Sequence, residues 1–176
     1  MRAKLIIQFV GYKNTGKTTW VCRMTEAFKQ AGYKVGTVKH DAHDFQMDKP
    51  GTDTWKHQEA GADVTAISSS ERTAIIKRRP DPLDSLIASI ERDVDIILVE
   101  GFKTAPYPKI VCAKEVGHLR LLETTTRPLA LVCWPDLWTD QDALSSLDHA
   151  LPKFAYDDYA SVFRLMQSLI DAPELG

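Results

Sequence analysis

A chain of 176 residues, 44% apolar and 26% charged, is long enough for one compact α/β domain and short for two. The formal net charge of −2 excludes the strongly basic footprint of a nucleic-acid-binding domain. Three widely spaced cysteines (Cys22, Cys112, Cys133) with no CxxC pair exclude a disulfide framework and a structural zinc site, and fit a reducing cytoplasm.

Met1-Arg2-Ala3-Lys4 followed by Leu5–Val10 has the charge-then-apolar order of an export signal. The apolar run ends at once in Gly-Tyr-Lys-Asn, too short for such a signal and far too short to span a bilayer. Leu5–Val10 therefore reads as a buried strand of a cytoplasmic protein with no membrane segment. From Lys17, apolar positions at Trp20, Val21, Met24, Ala27, Phe28 and Ala31 have helical spacing, and Gly32 is a stop signal. Lys34–Lys39 is the next strand and completes a right-handed βαβ unit with parallel strands.

His40–Gly51 reads as a polar loop, and Asp53–Ala60 as a short helix ending at Gly61. Val64–Ser68 and Thr73–Lys77 form a hairpin around Ser69-Ser70-Glu71-Arg72. Asp81-Pro82 is a helix start, with an acid at the N-cap and proline at the first helical position, followed by an apolar face of Leu83, Leu86, Ile87 and Ile90. Val94–Val99 is nearly continuous in apolar residues, as expected of a central parallel strand. Ile110–Ala113 and Leu129–Cys133 are further strands. The stretch from Asp157, with an acidic first turn and apolar residues at Tyr159, Phe163, Met166 and Ile170, is a closing helix. No repeat or linker interrupts the chain, so 1–176 reads as a single α/β domain on a mostly parallel sheet.

Gly11-Tyr12-Lys13-Asn14-Thr15-Gly16-Lys17-Thr18 matches G-x-x-x-x-G-K-[ST] in full. Gly11 and Gly16 allow successive backbone N–H groups to turn inward onto a phosphate. The helix beginning near Lys17 adds its positive end. Lys17 is suited to the β- and γ-phosphates and the Thr18 hydroxyl to Mg²⁺. A random chain this long matches in roughly one case in a hundred or fewer, and here the motif follows a strand and opens an amphipathic helix, as the mechanism requires. The reading is a nucleoside triphosphate held with Mg²⁺ by Gly11–Thr18. Lys13 is expected to be a solvated loop lysine.

Asp95–Gly101 has the shape of an apolar strand ending in a carboxylate. A strand parallel to the first delivers Glu100 to the sheet edge that carries the phosphate loop, where it can serve a metal ion. Asp41, after the second strand, is a candidate metal-shell acid or water-positioning residue at the same edge. His40 and His43 are weaker candidates, and nothing in their spacing demands a transition-metal site. Asp41 and Glu100 are thus the acids expected to act on the metal and in any hydrolysis.

Taken together, GYKNTGKTT, TVKHDAHDF, DTWKHQEAGAD and DIILVEGFK resemble the molybdopterin-guanine dinucleotide biosynthesis protein B (MobB) family, from about Leu5 to Lys109. The resemblance implies a three-layer P-loop NTPase fold of the group related to signal-recognition GTPases and nitrogenase-type ATPases. It implies GTP and Mg²⁺ as ligands, weak hydrolysis at most, and a homodimer. It also implies a supporting role beside the partner molybdopterin guanylyltransferase that attaches GMP to molybdopterin. By position it assigns Gly11–Thr19 to phosphates, Asp41 and Glu100 to the metal, and sets Lys103 toward the phosphate of a molybdopterin ligand. The guanine-reading N-K-x-D motif is absent. Trp134-Pro135-Asp136 stands after the strand, with Asp136 an acceptor for guanine, so GTP rather than ATP follows from the family alone.

Two other classes stay open at this level. One is an ATP-dependent small-molecule kinase with Arg72 and Lys77-Arg78-Arg79 as a basic lid, where a solvated turn is the plainer role. The other is a non-catalytic module whose nucleotide shapes a docking surface that includes Trp134 and Trp138, which serve equally well as core residues.

Overall fold

In the computed structural model, which describes residues 5–41 and 45–171, the strand at the heart of the sheet is the first in the sequence. This is β1 (Leu5–Gly11), followed by α1 (Lys17–Gln30) and β2 (Val35–Lys39). Then come α2 (Asp53–Glu59), the hairpin β3 (Val64–Ser68) and β4 (Thr73–Lys77), α3 (Leu83–Ile90), β5 (Ile96–Glu100) and β6 (Lys109–Ala113). A 3₁₀ turn (Val116–Arg120) leads through α4 (Leu121–Thr124) to β7 (Pro128–Cys133), α5 (Pro135–Trp138), α6 (Gln141–Ser145), β8 (Lys153–Ala155) and α7 (Tyr159–Asp171).

The main sheet has six strands in the order β2-β5-β1-β6-β7-β8, with every pair parallel. Alternate residues of its strands feed two cores. On one face Ile7, Phe9, Leu98, Ile110 and Val132 pack with Trp20, Met24 and Phe28 of α1 and with Val162 and Met166 of α7. On the other, Val10, Val111, Leu131 and Cys133 pack with Leu121 of α4, Leu137 of α5 and Leu144 of α6. Burial on both faces is why β5 and β6 are buried at every position and read as continuous apolar runs. The layers are helix, sheet, helix, as expected.

The chain divides into two compact units, one reaching His40 and resuming at Leu86, the other Asp41–Ser85. In the second, the hairpin closes as anticipated, from Val64↔Lys77 to Ser68↔Thr73, with Ser69 N–H on the Arg72 carbonyl at 2.8 Å. Thr52 caps α2 through Trp55 N–H. The basic cluster read as a possible lid has partners inside this unit: Lys77 bonds Asp81 at 2.5 Å, Arg79 lies 3.8 Å from Asp81, and Arg78 bonds the Gln58 carbonyl at 2.6 Å.

Those contacts explain one boundary difference. Asp81 serves Lys77 and Arg79 rather than capping a helix, and α3 begins at Leu83, with Ser85 N–H on the Pro82 carbonyl. At α7 the acids stand before the first turn instead of in it, and the Asp158 carboxylate accepts the Ser161 N–H at 3.1 Å. The segments α4, α5, α6 and β8 lay outside the sequence reading because each is only three to five residues long.

Candidate functional site

The loop between β1 and α1 is shaped by its glycines. A Cβ on Gly11 would lie 2.6 Å from the Cys112 carbonyl oxygen and 2.5 Å from Thr15 Oγ1. Gly16 adopts φ 83°, and its missing Cβ leaves room for the Tyr156 ring. Asn14 is also left-handed, at φ 60°. Buried Thr15 donates to the Tyr12 carbonyl at 2.9 Å, and the Trp134 indole N–H donates to the Thr15 carbonyl at 3.1 Å. The loop is thus tied both to itself and to the end of β7. Tyr12, Lys13, Asn14, Thr18 and Thr19 are exposed along its rim.

Lys17 is half-buried and donates to the Tyr12 carbonyl at 2.6 Å. Burial holds its pKa below the usual lysine value, with Lys103 and Lys39 adding repulsion and Cys112 and Glu100 opposing. The Thr18 hydroxyl meets both oxygens of the Glu100 carboxylate, at 2.8 and 3.0 Å. Glu100 is 8% exposed, and Lys39 Nζ lies 3.7 Å from it. These contacts follow from the register: β5 lies beside β1, so Glu100 at its end stands level with Phe9, two residues short of Gly11. A cleft of about 450 Å³ opens beside Thr18 and Glu100, walled by Val21, Cys22 and Thr25 of α1 and by Thr37, Val38 and Lys39 of β2.

His40 N–H bonds the Glu100 carbonyl at 2.9 Å, and the His40 ring packs 4.8 Å from that of Phe102. Asp41 follows as the first residue of the second unit. His43 lies outside the described residues. Among the described residues no group of three or more His, Cys, Asp or Glu side chains gathers for a metal ion, and no helix is long and apolar enough to cross a membrane.

The sequence reading missed two fully buried polar residues beneath the connection between β5 and β6. Gln8 and Lys109 are register partners on β1 and β6, each at 0% exposure. Gln8 Nε2 donates to the carbonyls of Gly101 at 2.9 Å and Phe102 at 2.7 Å. Lys109 Nζ donates to the carbonyls of Ala105, Tyr107 (2.9 Å) and Thr126 (3.1 Å) and to the Thr126 hydroxyl (3.1 Å). The available signal was Gln8 itself, the one polar residue in Leu5–Val10. Trp134 and Tyr156 were also missed as loop neighbours; their rings lie 4.7 Å apart, and Lys114 sits 4.6 Å over Trp134.

A six-stranded parallel sheet sandwiched by helices, with this loop at the end of its central strand and a carboxylate at the end of the next, defines a P-loop NTPase fold, and the class implies nucleotide binding. The hydrogenase maturation factor HypB from Archaeoglobus fulgidus shares that fold, with a TM-score of 0.55 at 12% identity over 94% of this chain and 90% of that one. The model of the family molybdopterin guanine dinucleotide synthesis protein B (MobB) matches residues 6–134, and the chain belongs to this family. A probable molybdopterin-guanine dinucleotide biosynthesis adapter protein of Bacillus subtilis is 39% identical over 121 residues, 67% of this chain and 70% of that protein. The crystal structure of Bacillus subtilis MobB superposes with a TM-score of 0.75 at 32% identity, covering 93% of this chain and 96% of that one.

Proposed function

We propose that this chain is a GTP-binding adapter of molybdenum cofactor maturation, acting in the cytoplasm as a homodimer beside the guanylyltransferase that joins GMP to molybdopterin. The observation that carries the reading is the meeting of the Thr18 hydroxyl and the Glu100 carboxylate at the mouth of the phosphate loop. Relatives described as molybdopterin-guanine dinucleotide biosynthesis adapters supply the pathway. The donor set suits Mg²⁺: a hydroxyl and a carboxylate are hard oxygen ligands, and no thiolate or imidazole cluster competes among the described residues. Thr18 and Glu100 would hold the ion, with Asp41 as a further acid. The ion would neutralise charge on the β- and γ-phosphates.

Gly11–Thr19 would cradle the phosphates, with Lys17 leaving the Tyr12 carbonyl for the β- and γ-oxygens. Hydrolysis is slow in this reading, because the site residues named here include no arginine or glutamine set over the γ-phosphate. Guanine preference would fall to the segment after β7, where Asp136 follows Trp134.

Calorimetric titration with GTP and ATP at fixed Mg²⁺ tests the proposal. GTP is expected to bind at least tenfold tighter (about 1.4 kcal/mol). Equal affinities, or an ATP preference, would remove guanine from the reading and favour the kinase class.

A further inference from the structure

Gln8 and Lys109 sit side by side in the sheet interior, where polar groups destabilise the fold unless they are bonded. What both bond is the connection between β5 and β6. The turn Phe102–Ala105 closes with Ala105 N–H on the Phe102 carbonyl at 2.9 Å. Gln8 holds the Phe102 end of that turn, and Lys109 holds the Ala105 end. Its first inner residue is Lys103.

The backbone enters the turn through two successive left-handed residues, Gly101 at φ 90° and Phe102 at φ 52°. The second is a conformation that disfavours a bulky side chain, so the Gln8 bonds to both carbonyls are what hold it. This path carries Lys103 back over the phosphate loop, with its ammonium 4.6 Å above the Tyr12 ring. Tyr12 also receives Lys17 at its carbonyl, so two ammonium groups converge on one loop residue. Among the described residues no carboxylate pairs with Lys103. Thr18 and Glu100 would hold a metal that neutralises phosphate charge, and the Lys103 ammonium, carried on the segment that follows Glu100, stands close enough to Lys17 to repel it.

We propose that Lys103 is a second phosphate-binding cation of this site, one that reads the terminal phosphate of a nucleoside triphosphate, and that Gln8 and Lys109 are the positioning residues that aim it. The inference rests on the nucleotide reading above. Diphosphate affinity depends on the loop amides and Lys17, whereas Lys103 adds to the triphosphate alone.

The test is calorimetry of GDP and of a non-hydrolysable GTP analogue, both with Mg²⁺, on the full chain. Lys103→Met keeps the aliphatic stem against Tyr12 and removes the charge. It should lower the triphosphate-to-diphosphate affinity ratio at least tenfold, and Lys103→Arg should restore most of the ratio. Gln8→Met should shift the ratio the same way, and the double variant no further than Lys103→Met alone. An unchanged ratio in Lys103→Met, or equal weakening of both nucleotides, overturns the proposal while leaving nucleotide binding intact. Wild-type protein that binds neither nucleotide defeats the nucleotide reading and this proposal together.

Discussion

Replacing Lys109 by methionine isolates the buried ammonium that holds the connection between β5 and β6. Methionine has similar length and flexibility, so the core is not emptied, but the carbonyls of Ala105, Tyr107 and Thr126 lose their shared donor. At about 1 kcal/mol net for each hydrogen bond, that loss is about 3 kcal/mol. The expected destabilisation is therefore about 3 kcal/mol, which for a chain of this size lowers the melting midpoint by about 6–12 °C. Urea unfolding followed by tryptophan fluorescence should show a lower midpoint with an unchanged slope. Stability at or above the wild type would refute the reasoning. The connection would then be held by main-chain bonds alone, Gln8 N–H to Pro108 and Lys109 N–H to Arg127.

The same lysine makes a pH prediction. Burial holds its folded pKa below 10.5, so between the two values the unfolded chain binds more protons and stability rises with pH. The stability gap between wild type and Lys109→Met should therefore widen as the pH is raised toward 10.5, measured by urea titration; a constant gap would contradict the direction of the shift. Thiol labelling of the native protein should modify Cys22 alone, since Cys112 and Cys133 are buried with pKa values pushed up to about 12, and all three should react once the chain is denatured. Fast native reaction of a second thiol would show that the sheet opens readily. Gly16→Ala meets both a left-handed φ and the Tyr156 ring. It should lower stability by about 1–2 kcal/mol and weaken nucleotide binding, read by thermal denaturation and calorimetry.

The phosphate loop was legible because its chemistry is local: two glycines, a lysine and a threonine at fixed spacing between a strand and a helix. Glu100 was legible because a continuous apolar strand ends in it, and parallel pairing with β1 sets its height. The Thr18–Glu100 contact joins two residues that the sequence had assigned separately to one metal. Gln8 and Lys109 were not legible, because their partners depend on which strands become neighbours. The sequence order of β1, β5 and β6 does not announce that β1 lies between the other two. Lys109 also looks like an ordinary exposed lysine before a strand until the connection folds over it. Trp134 was weighed between docking surface and core, and it proves to be a tether of the loop itself. The short helices α4, α5 and α6 carry too few residues for any periodicity to show.

The seat of the phosphate loop is delivered late. During synthesis the motif at residues 11–18 emerges first, while both flanking strands of β1 come only with β5 and β6. The indole that bonds Thr15 and the ring that lies against Gly16 are added later still, at Trp134 and Tyr156. At roughly 5–20 residues per second, a nascent chain spends several seconds carrying the complete motif without the neighbours that shape it. The loop therefore reaches its full set of supporting contacts only once β7, β8 and Tyr156 have been added to the sheet.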